Sequence, residues 1–381
     1  MSSEMSHGHI HYMDAARGVL MSLGVLLHAA NVFSDADWAI QNAQTSIIFT
    51  HLIDFIHQFR MPAFFIVSGF FCHLSLQRYG HQKFINKRIP RILVPMLVTV
   101  LSLNILQSLI LAKYHSYPVS LLDSDYWLSG KWVSHLWFLH CILIYFAVSA
   151  LIYRYSLKPV TLLASNLKYL MLKSGGLFLL VLPLGTMITL KLSYLIPDTG
   201  YYLFSIAEAI FYSVFFAFGV LIGSHRSLLS TFIKPGVLPC ALLLGVFILF
   251  FALKDNPSSW VSMLTLYISH LIPWLLCLVC FFIFHSLCNS RSTAFEYLAN
   301  ASYSIYLFHH ILIIIFSIII IPTNINIWLK FVILVSTTYA TTIFIHHFFV
   351  LKFPLMRFLF NGVKSEPSDG RVKNNHQYVK T

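Results

Sequence analysis

The sequence predicts an all-α integral membrane protein, a bundle of about ten transmembrane helices, from its composition, its apolar runs and the placement of its basic residues. Hydrophobic residues make up 58% and charged residues only 10% of the 381-residue chain, against about 45–50% and about 25% in soluble domains. Only helices or closed barrels span lipid, because every backbone polar group must be satisfied internally. The apolar runs are continuous rather than alternating, which excludes a barrel.

Apolar stretches of about 20 residues, the length of a bilayer-spanning helix, recur along the whole chain. They give ten predicted spans at residues 13–33, 46–75, 92–112, 136–153, 175–193, 204–223, 236–253, 260–285, 302–321 and 328–350. Together they predict one transmembrane domain over residues 1–360, followed by a polar, disordered cytoplasmic tail at 361–381. The sequence has no obvious internal repeat, which weakens a transporter interpretation based on paired halves.

The basic residues predict the orientation of the bundle. Most Lys and Arg side chains fall in the loops that connect even spans to odd spans and in the tail, whereas the opposite side holds only Lys113, Lys131, Lys191, Lys254 and Lys330. The positive-inside rule therefore places both termini in the cytoplasm. The formal net charge of +12 is then mostly a topology signal, and nucleic acid is not an expected partner.

The most basic connection is the loop predicted at residues 78–91, with the sequence RYGHQKFINKRIPR. Such a segment anchors a protein to anionic lipid headgroups. A second role, attraction of a phosphate-bearing cytoplasmic donor, stays open.

The first span carries ionisable side chains on one face. Arg17 and His28 are eleven residues apart, which is about 1100° of helical rotation, only about 20° from eclipsed, and about 16 Å along the axis. Gly24 and Asn31 lie on the same stripe; because Gly24 has no side chain, it would leave a groove between the two polar groups. Asp14 precedes Arg17 by one turn and can pair with it. Ionisable groups inside a membrane are functional candidates, although an interfacial ion pair and a hydrogen-bonded bundle histidine would also explain them.

The second span, HLIDFIHQFRMPAFFIVSGFF, places Asp54, His57 and Arg60 at successive spacings of three residues. A central Arg costs about 2.5–3.5 kcal/mol on insertion scales, so Asp54 or a bound anion is expected to compensate Arg60. A buried Arg-Asp pair that only fixes helix register is the structural alternative. Further along, Ser68 and Gly69 suit a close approach of another helix.

Two more polar clusters stand at the ends of predicted spans. The motif SHLWFLH places His135 and Trp137 at the outer mouth of the fourth span, where Trp alone would be an ordinary interfacial anchor. The motif NASYSIYLFHH opens the ninth span and puts His309 and His310 near the middle of the membrane. One of these adjacent histidines is expected to face the bundle interior, and the other to point elsewhere.

These motifs, taken in order, resemble the membrane-bound acyltransferase family 3 over almost the whole chain. The pattern consists of an Arg and a His separated by ten residues, then FRMPAFFIVSGFF, HLWFL and YSIYLFHH. The resemblance implies an inner-membrane enzyme that moves an acyl group from cytoplasmic acyl-CoA to a hydroxyl of an extracytoplasmic carbohydrate. DFIHQFRM, SHLWFL and NASYSIYLFHH look most like members that use succinyl-CoA and an osmoregulated periplasmic glucan. Other members transfer acetyl, from acetyl-CoA.

The residues suit this chemistry. Arg17 would bind the donor phosphates, because a guanidinium matches phosphate geometry, and the groove past Gly24 would accept the pantetheine arm. His28 would take the proton of the sugar hydroxyl. Arg60 or a member of the adjacent histidine pair would stabilise the oxyanion; Arg60 would alternatively hold a succinyl carboxylate. The side chains assigned to supporting positions or to the acceptor side are Asn31, Asp54, His57, Ser68, His135 and Trp137.

Several alternatives stay open at this stage. The acyl group could be acetyl and the acceptor another surface polysaccharide or lipid-linked sugar, and transfer could be direct or pass through an acyl-His28 intermediate. A transporter of a glycan or lipid precursor would use the same buried charges for binding or proton coupling, and a membrane scaffold would use them for assembly. No metal and no permanently bound cofactor are expected, and the oligomeric state is open.

Overall fold

The computed structural model describes residues 10–117, 124–128, 130, 132–156, 158–174, 177–196, 206–233, 238–256 and 258–363. Over these residues the chain forms fourteen α-helices and no β-strand, which confirms the all-α class. The helices are α1 His11–Asn31, α2 Ile47–Thr99, α3 Ile105–His115, α4 Ser124–Leu128, α5 Trp137–Tyr155, α6 Lys158–Ser174, α7 Leu182–Ser193, α8 Ile206–Ser224, α9 Arg226–Ile233, α10 Leu238–Leu253, α11 Ser259–Cys288, α12 Thr293–Ile320, α13 Ile327–Ile345 and α14 Pro354–Asn361. Short 3₁₀ turns occur at Ser134–Leu136 and Leu177–Leu180, and π-helical turns at Val100–Asn104 and His346–Val350.

The helices account for the predicted apolar stretches. In the described part of the chain, seven helical segments are long and apolar enough to cross a bilayer. The 69-residue segment Ile47–His115 covers the predicted span 46–75 from its second residue and the whole of the predicted span 92–112. Two shorter apolar helices, Phe178–Ser193 and Cys240–Leu253, match the spans predicted at 175–193 and 236–253. The count of ten spans, the cytoplasmic position of the termini and the single domain over 1–360 stay predictions. Nearly all of the predicted tail, from residue 364 onward, lies outside the described residues.

The basic segment 78–91, predicted as a loop, is helical instead and belongs to α2. This helix is broken at Gly80, whose φ of 71° suits glycine. The chain turns back sharply there, because Arg88 Nη2 donates to Ser75 Oγ at 2.8 Å, whereas thirteen residues of straight helix would cover about 20 Å. The loop prediction was wrong because Phe84, which is fully buried, draws the basic segment onto the core.

Helices α2 and α8 cross at very close range through two glycines. A Cβ atom at Gly69 would overlap the carbonyl oxygen of Phe216, and one at Gly219 would overlap the carbonyl oxygen of Ile66. Small residues allow such approaches between membrane helices. The close approach predicted at Gly69 is therefore confirmed.

We expect Gly69→Ala to lower the thermal stability of the protein, because the new methyl group meets backbone rather than a movable side chain. Overpacking of this kind costs about 1–3 kcal/mol or more. The measurement is the thermal unfolding midpoint of the detergent-solubilised protein. Gly245→Ala on α10 is the matched control, since its Cβ would have no atom within 4 Å. Equal midpoints for the two variants would contradict the α2–α8 crossing.

The end of the described chain folds back onto the basic segment 78–91 of α2. Helix α14 ends at Asn361 and is capped by Gly362, which has a φ of 62° and lies directly against the backbone of Arg91. Ser304 Oγ on α12 is hydrogen-bonded to His346 Nδ1 at 2.8 Å and lies 3.5 Å from Asn361 Oδ1. These contacts join α12, the second π-helical turn and α14 at one end of the bundle.

Candidate active site

Helix α1 lies against α12, which places its polar face in the interior of the bundle. A Cβ atom at Gly18 would be 2.9 Å from the backbone nitrogen of Ala299, so the two helices touch at this point. Tyr339 on α13 adds a second tie, because its hydroxyl donates to the carbonyl oxygen of Ser22 at 2.6 Å. His28, near the end of α1, therefore faces α12 in a position fixed by packing.

Four histidines from three segments meet at this position, and we call them the histidine cluster: His28, His135, His309 and His310. The ring centroid of His28 lies 5.3 Å from that of His309 and 4.9 Å from that of His310. His135, on the 3₁₀ turn before α5, stacks on His310 at 4.8 Å with an interplanar angle of 7°. It also lies 5.3 Å from His309.

The expectation that only one of the adjacent histidines faces the interior is wrong. His309 and His310 are 1% and 7% exposed, and both rings border His28. Neighbouring residues on a helix differ by about 100° in direction. Because α1 and the turn that carries His135 both pack against this part of α12, the interior arc is wide enough for both rings.

The hydrogen bonds of His309 define which of its nitrogens is free. Its Nδ1 lies 2.7 Å from the carbonyl oxygen of Tyr306 and 3.2 Å from that of Ile305. Carbonyl oxygens only accept, so Nδ1 carries the hydrogen, and in the neutral ring Nε2 holds the lone pair. This Nε2 is buried and has no hydrogen-bond partner among the described residues.

The ring of His310 is oriented in a similar way by a glutamine. Its Nδ1 lies 2.7 Å from Gln107 Oε1, and the amide nitrogen of Gln107 donates to Ser134 Oγ at 3.2 Å. The amide oxygen therefore accepts from Nδ1, which leaves the Nε2 lone pair of the neutral His310 ring on the other side. His28 is less constrained, because within the described part of the chain its buried Nδ1 has no hydrogen-bond partner.

Arg60 brings a positive charge to the same face of α1. A Cβ atom at Gly24 would lie 2.6 Å from Arg60 Nη1 and 3.5 Å from His309 Nε2. The open groove expected past Gly24 is therefore wrong at this point, because the guanidinium fills the space that the missing side chain leaves. Arg60 Nη2 contacts Met61 Sδ at 3.5 Å, and the buried Nε finds no hydrogen-bond partner in the described residues.

Asp54 does not compensate this charge, contrary to the sequence-based expectation. It is exposed, and six residues of helix turn it about 120° away from Arg60. Arg17 pairs with Asp14 and Arg291 with Glu296, and neither of these ion pairs involves Arg60. The sequence offered Asp54 or a bound anion to compensate Arg60. Because Asp54 points away, the bound anion is the candidate that agrees with this geometry.

Arg17 marks the other end of the stripe on α1. Its Nη2 lies 3.1 Å from Asp14 Oδ1, as the spacing predicts, and its guanidinium sits 5.3 Å from the centroid of the Phe71 ring. Arg88 is close enough to Arg91 and Arg17 for electrostatic interaction with both guanidinium groups. Several guanidinium groups therefore gather at the end of the bundle opposite to the histidine cluster.

Known proteins identify the family. A family model described as "Acyltransferase domain" matches residues 10–347. The chain belongs to this acyltransferase family. Glucans biosynthesis protein C of Escherichia coli (strain K12) and that of Escherichia coli (strain SE11) are each 30% identical to it over 366 residues, which cover 92% of this chain and 94% of the relative. No solved structure matches.

The match confirms the resemblance to the membrane-bound acyltransferase family 3, and the protein is a multi-pass membrane acyltransferase. The matched region includes the histidine cluster, Arg17 and Arg60. In the described part of this acyltransferase, no group of three or more His, Cys, Asp or Glu side chains is arranged to hold a metal ion.

Other predicted site residues of the acyltransferase are not among the four rings of the cluster. Trp137 stacks on Tyr212, with ring centroids 5.7 Å apart. His57 is exposed on α2, while Ser68 and Asn31 are half-buried on α2 and at the end of α1. The roles of these side chains stay predictions.

Two residues of the acyltransferase site were missed by sequence reasoning. Gln107 is a polar side chain inside the apolar stretch 92–112, and that oddity could have revealed it. Trp38, on the connection after α1, has its ring centroid 6.3 Å from that of His28 and 5.6 Å from that of His310. No periodic pattern marks a residue in an irregular connection, so only the structure shows this contact.

Proposed function

We propose that the protein is an inner-membrane O-acyltransferase that moves a succinyl group from cytoplasmic succinyl-CoA to hydroxyl groups of an osmoregulated periplasmic glucan. The observation that carries this proposal is the histidine cluster with Arg60 beside it, a guanidinium that has no carboxylate partner among the described residues. Imidazole lone pairs and a cation in one buried place are what proton removal and oxyanion stabilisation need. The relatives named for glucan biosynthesis support the acceptor class.

In the direct route, the oxygen of a sugar hydroxyl attacks the thioester carbonyl carbon while His28 takes the hydroxyl proton. The carbonyl oxygen becomes negatively charged close to Arg60, whose guanidinium donates hydrogen bonds to it. The C–S bond then breaks, and the sulfur of CoA receives the proton from His28 and leaves as a thiol. A route through an acyl group on His28 would use the same side chains.

The donor would enter from the end of α1 that carries Arg17. Guanidinium groups bind phosphates in a bidentate manner, and Arg17 with Arg88 and Arg91 offers several of them in one region. From there the thioester must travel about 16 Å along α1 to reach His28. Because Arg60 fills the space at Gly24, we propose that the pantetheine arm passes beside the Arg60 side chain.

The orientation follows from the positive-inside rule. With the N-terminus in the cytoplasm, Arg17 faces the compartment that supplies acyl-CoA, and the connection after α1 faces the periplasm. The support for succinyl is the resemblance of the motifs around Asp54–Met61, Ser134–Leu139 and Asn300–His310 to those of succinyl-transferring members.

Mass spectrometry of periplasmic glucans, with and without the gene, tests the function directly. We expect succinylated glucan in the strain that carries the gene and unmodified glucan in its absence, with succinylation restored when the gene is returned. The shift identifies the acyl group, so an acetyl shift would replace succinyl and keep the enzyme class. Unchanged acylation together with an altered location of the glycan would instead indicate transport and contradict the proposal.

A further inference from the structure

Trp38 covers the histidine cluster from the connection between α1 and α2. Its indole is nearly parallel to the His28 ring, with an interplanar angle of 25°, and it meets His310 at 67°. The side chain is half-buried. One part of the indole therefore faces the two imidazoles, and the rest is open to whatever approaches from this end of the bundle.

The connection that carries Trp38 is held in place by distant parts of the chain. Lys330 on α13 is only 5% exposed, and its Nζ donates to Asn42 Oδ1 at 3.2 Å and to the carbonyl oxygen of Ile321 at 2.7 Å. His115, at the end of α3, is bonded through Nε2 to the carbonyl oxygen of Ala39 at 2.8 Å. Two helices thus hold the connection at Ala39 and Asn42, just after Trp38. On its other side, the Gln41 amide nitrogen donates to the carbonyl oxygens of Ser34 and Ala36 at 2.8 and 3.2 Å, so the backbone that carries the indole is restrained.

The surroundings of the indole suit a carbohydrate. Asp35 and Asp37 are exposed next to it in the chain, and carboxylates accept hydrogen bonds from hydroxyl groups. A pyranose ring has an apolar face of C–H groups and a rim of hydroxyls, so a flat aromatic surface suits the face, and exposed carboxylates on the same connection suit the rim. A fixed aromatic ring also binds at a low cost in conformational entropy.

We propose that Trp38 is the acceptor platform, on which a sugar ring of the glucan stacks so that one of its hydroxyls points at His28. The inference rests on the proposed transfer reaction and adds to it the place where the acceptor binds. A different role, a cover that only keeps water away from the cluster, would leave acceptor binding unchanged.

The test uses the purified full-length protein in proteoliposomes, with succinyl-CoA and glucan varied independently. We expect Trp38→Ala to raise the KM for glucan about five- to tenfold, from the loss of an aromatic stacking contact, and to leave the KM for succinyl-CoA unchanged. Trp38→Phe retains an aromatic ring, so its KM for glucan should lie between those of the wild type and Trp38→Ala. Trp260→Ala is the matched control, because Trp260 is 69% exposed and should be replaceable without effect.

An unchanged KM for glucan in Trp38→Ala, with faster hydrolysis of succinyl-CoA, would contradict the acceptor platform. It would show instead that Trp38 acts as a cover that keeps water away from the cluster. Calorimetric titration with a neutral glucooligosaccharide, without any acyl donor, separates this inference from the transfer reaction. Binding that is lost in Trp38→Ala supports the platform even if no acyl transfer is found. If transfer proceeds with equal glucan KM values in the wild type and Trp38→Ala, the platform alone fails. If Trp38→Ala does not fold, the same comparisons are read from Trp38→Phe.

Discussion

Replacement of His28 by alanine is expected to lower acyl transfer by about 10²- to 10⁴-fold, the contribution of a positioned general base. The His28 ring borders His309, His310 and Trp38. Its buried Nδ1 has no hydrogen-bond partner among the described residues, so proton transfer does not compete with a structural bond there. The measurement is the rate of succinyl transfer to glucan by the purified protein in proteoliposomes.

His270→Ala is the matched control for this experiment. His270 is also buried, at 8% exposure, but it lies on α11, where its ring is 6.5 Å from that of Phe211. We expect this variant to keep the wild-type transfer rate, and both variants to keep the elution profile of a folded protein. Full transfer by His28→Ala would refute its role as the base.

The remaining rings of the cluster should act as a unit with His28. His309 and His310 have their tautomers set by carbonyl and amide oxygens, so a change at either position also changes the surroundings of His28. The effects of such replacements are expected to be non-additive, as in other groups of residues that share one reaction step.

The one-face stripe of α1 could be predicted from the sequence because it depends only on the 3.6-residue period. Arg17 pairs with Asp14 as this period predicts, and α1 is helical over the whole distance from Arg17 to His28. The helical state of 78–91 could not be predicted in this way. It depends on the burial of Phe84 by helices that are distant in the sequence, and the basic composition of the segment gives no sign of this burial.

The candidate site was predicted only in part, and for a similar reason. Polar residues inside apolar spans indicated His28, Arg60 and the adjacent histidines, but which groups meet is decided by packing between helices. Spacing along α2 suggested Asp54 as the partner of Arg60, whereas the structure places the guanidinium against Gly24 on another helix. The role of Gly24, which leaves space for the Arg60 guanidinium, therefore depends on the position of α2 and could not be predicted from α1 alone.

Replacement of Arg60 is expected to separate activity from stability. Within the described residues the guanidinium has no carboxylate partner, and a central Arg costs about 2.5–3.5 kcal/mol on insertion scales. Arg60→Met should therefore raise the thermal unfolding midpoint while it lowers acyl transfer by about 10²- to 10³-fold, the loss seen when an oxyanion donor is removed. Arg154→Met, at an exposed arginine on α5, should change neither quantity.

The donor dependence of the loss then assigns the anion that Arg60 binds. A guanidinium that serves the oxyanion acts on the thioester carbonyl, which succinyl-CoA and acetyl-CoA share, so we expect Arg60→Gln to slow transfer from both donors equally. Arg60→Lys keeps the charge but loses the planar fork of donors, and its rate should be intermediate. A loss confined to succinyl-CoA would contradict the oxyanion role and place the succinyl carboxylate on Arg60. A lower unfolding midpoint in Arg60→Met would mean that the charge is compensated in the folded protein, because removing an uncompensated buried charge relieves a cost rather than adding one.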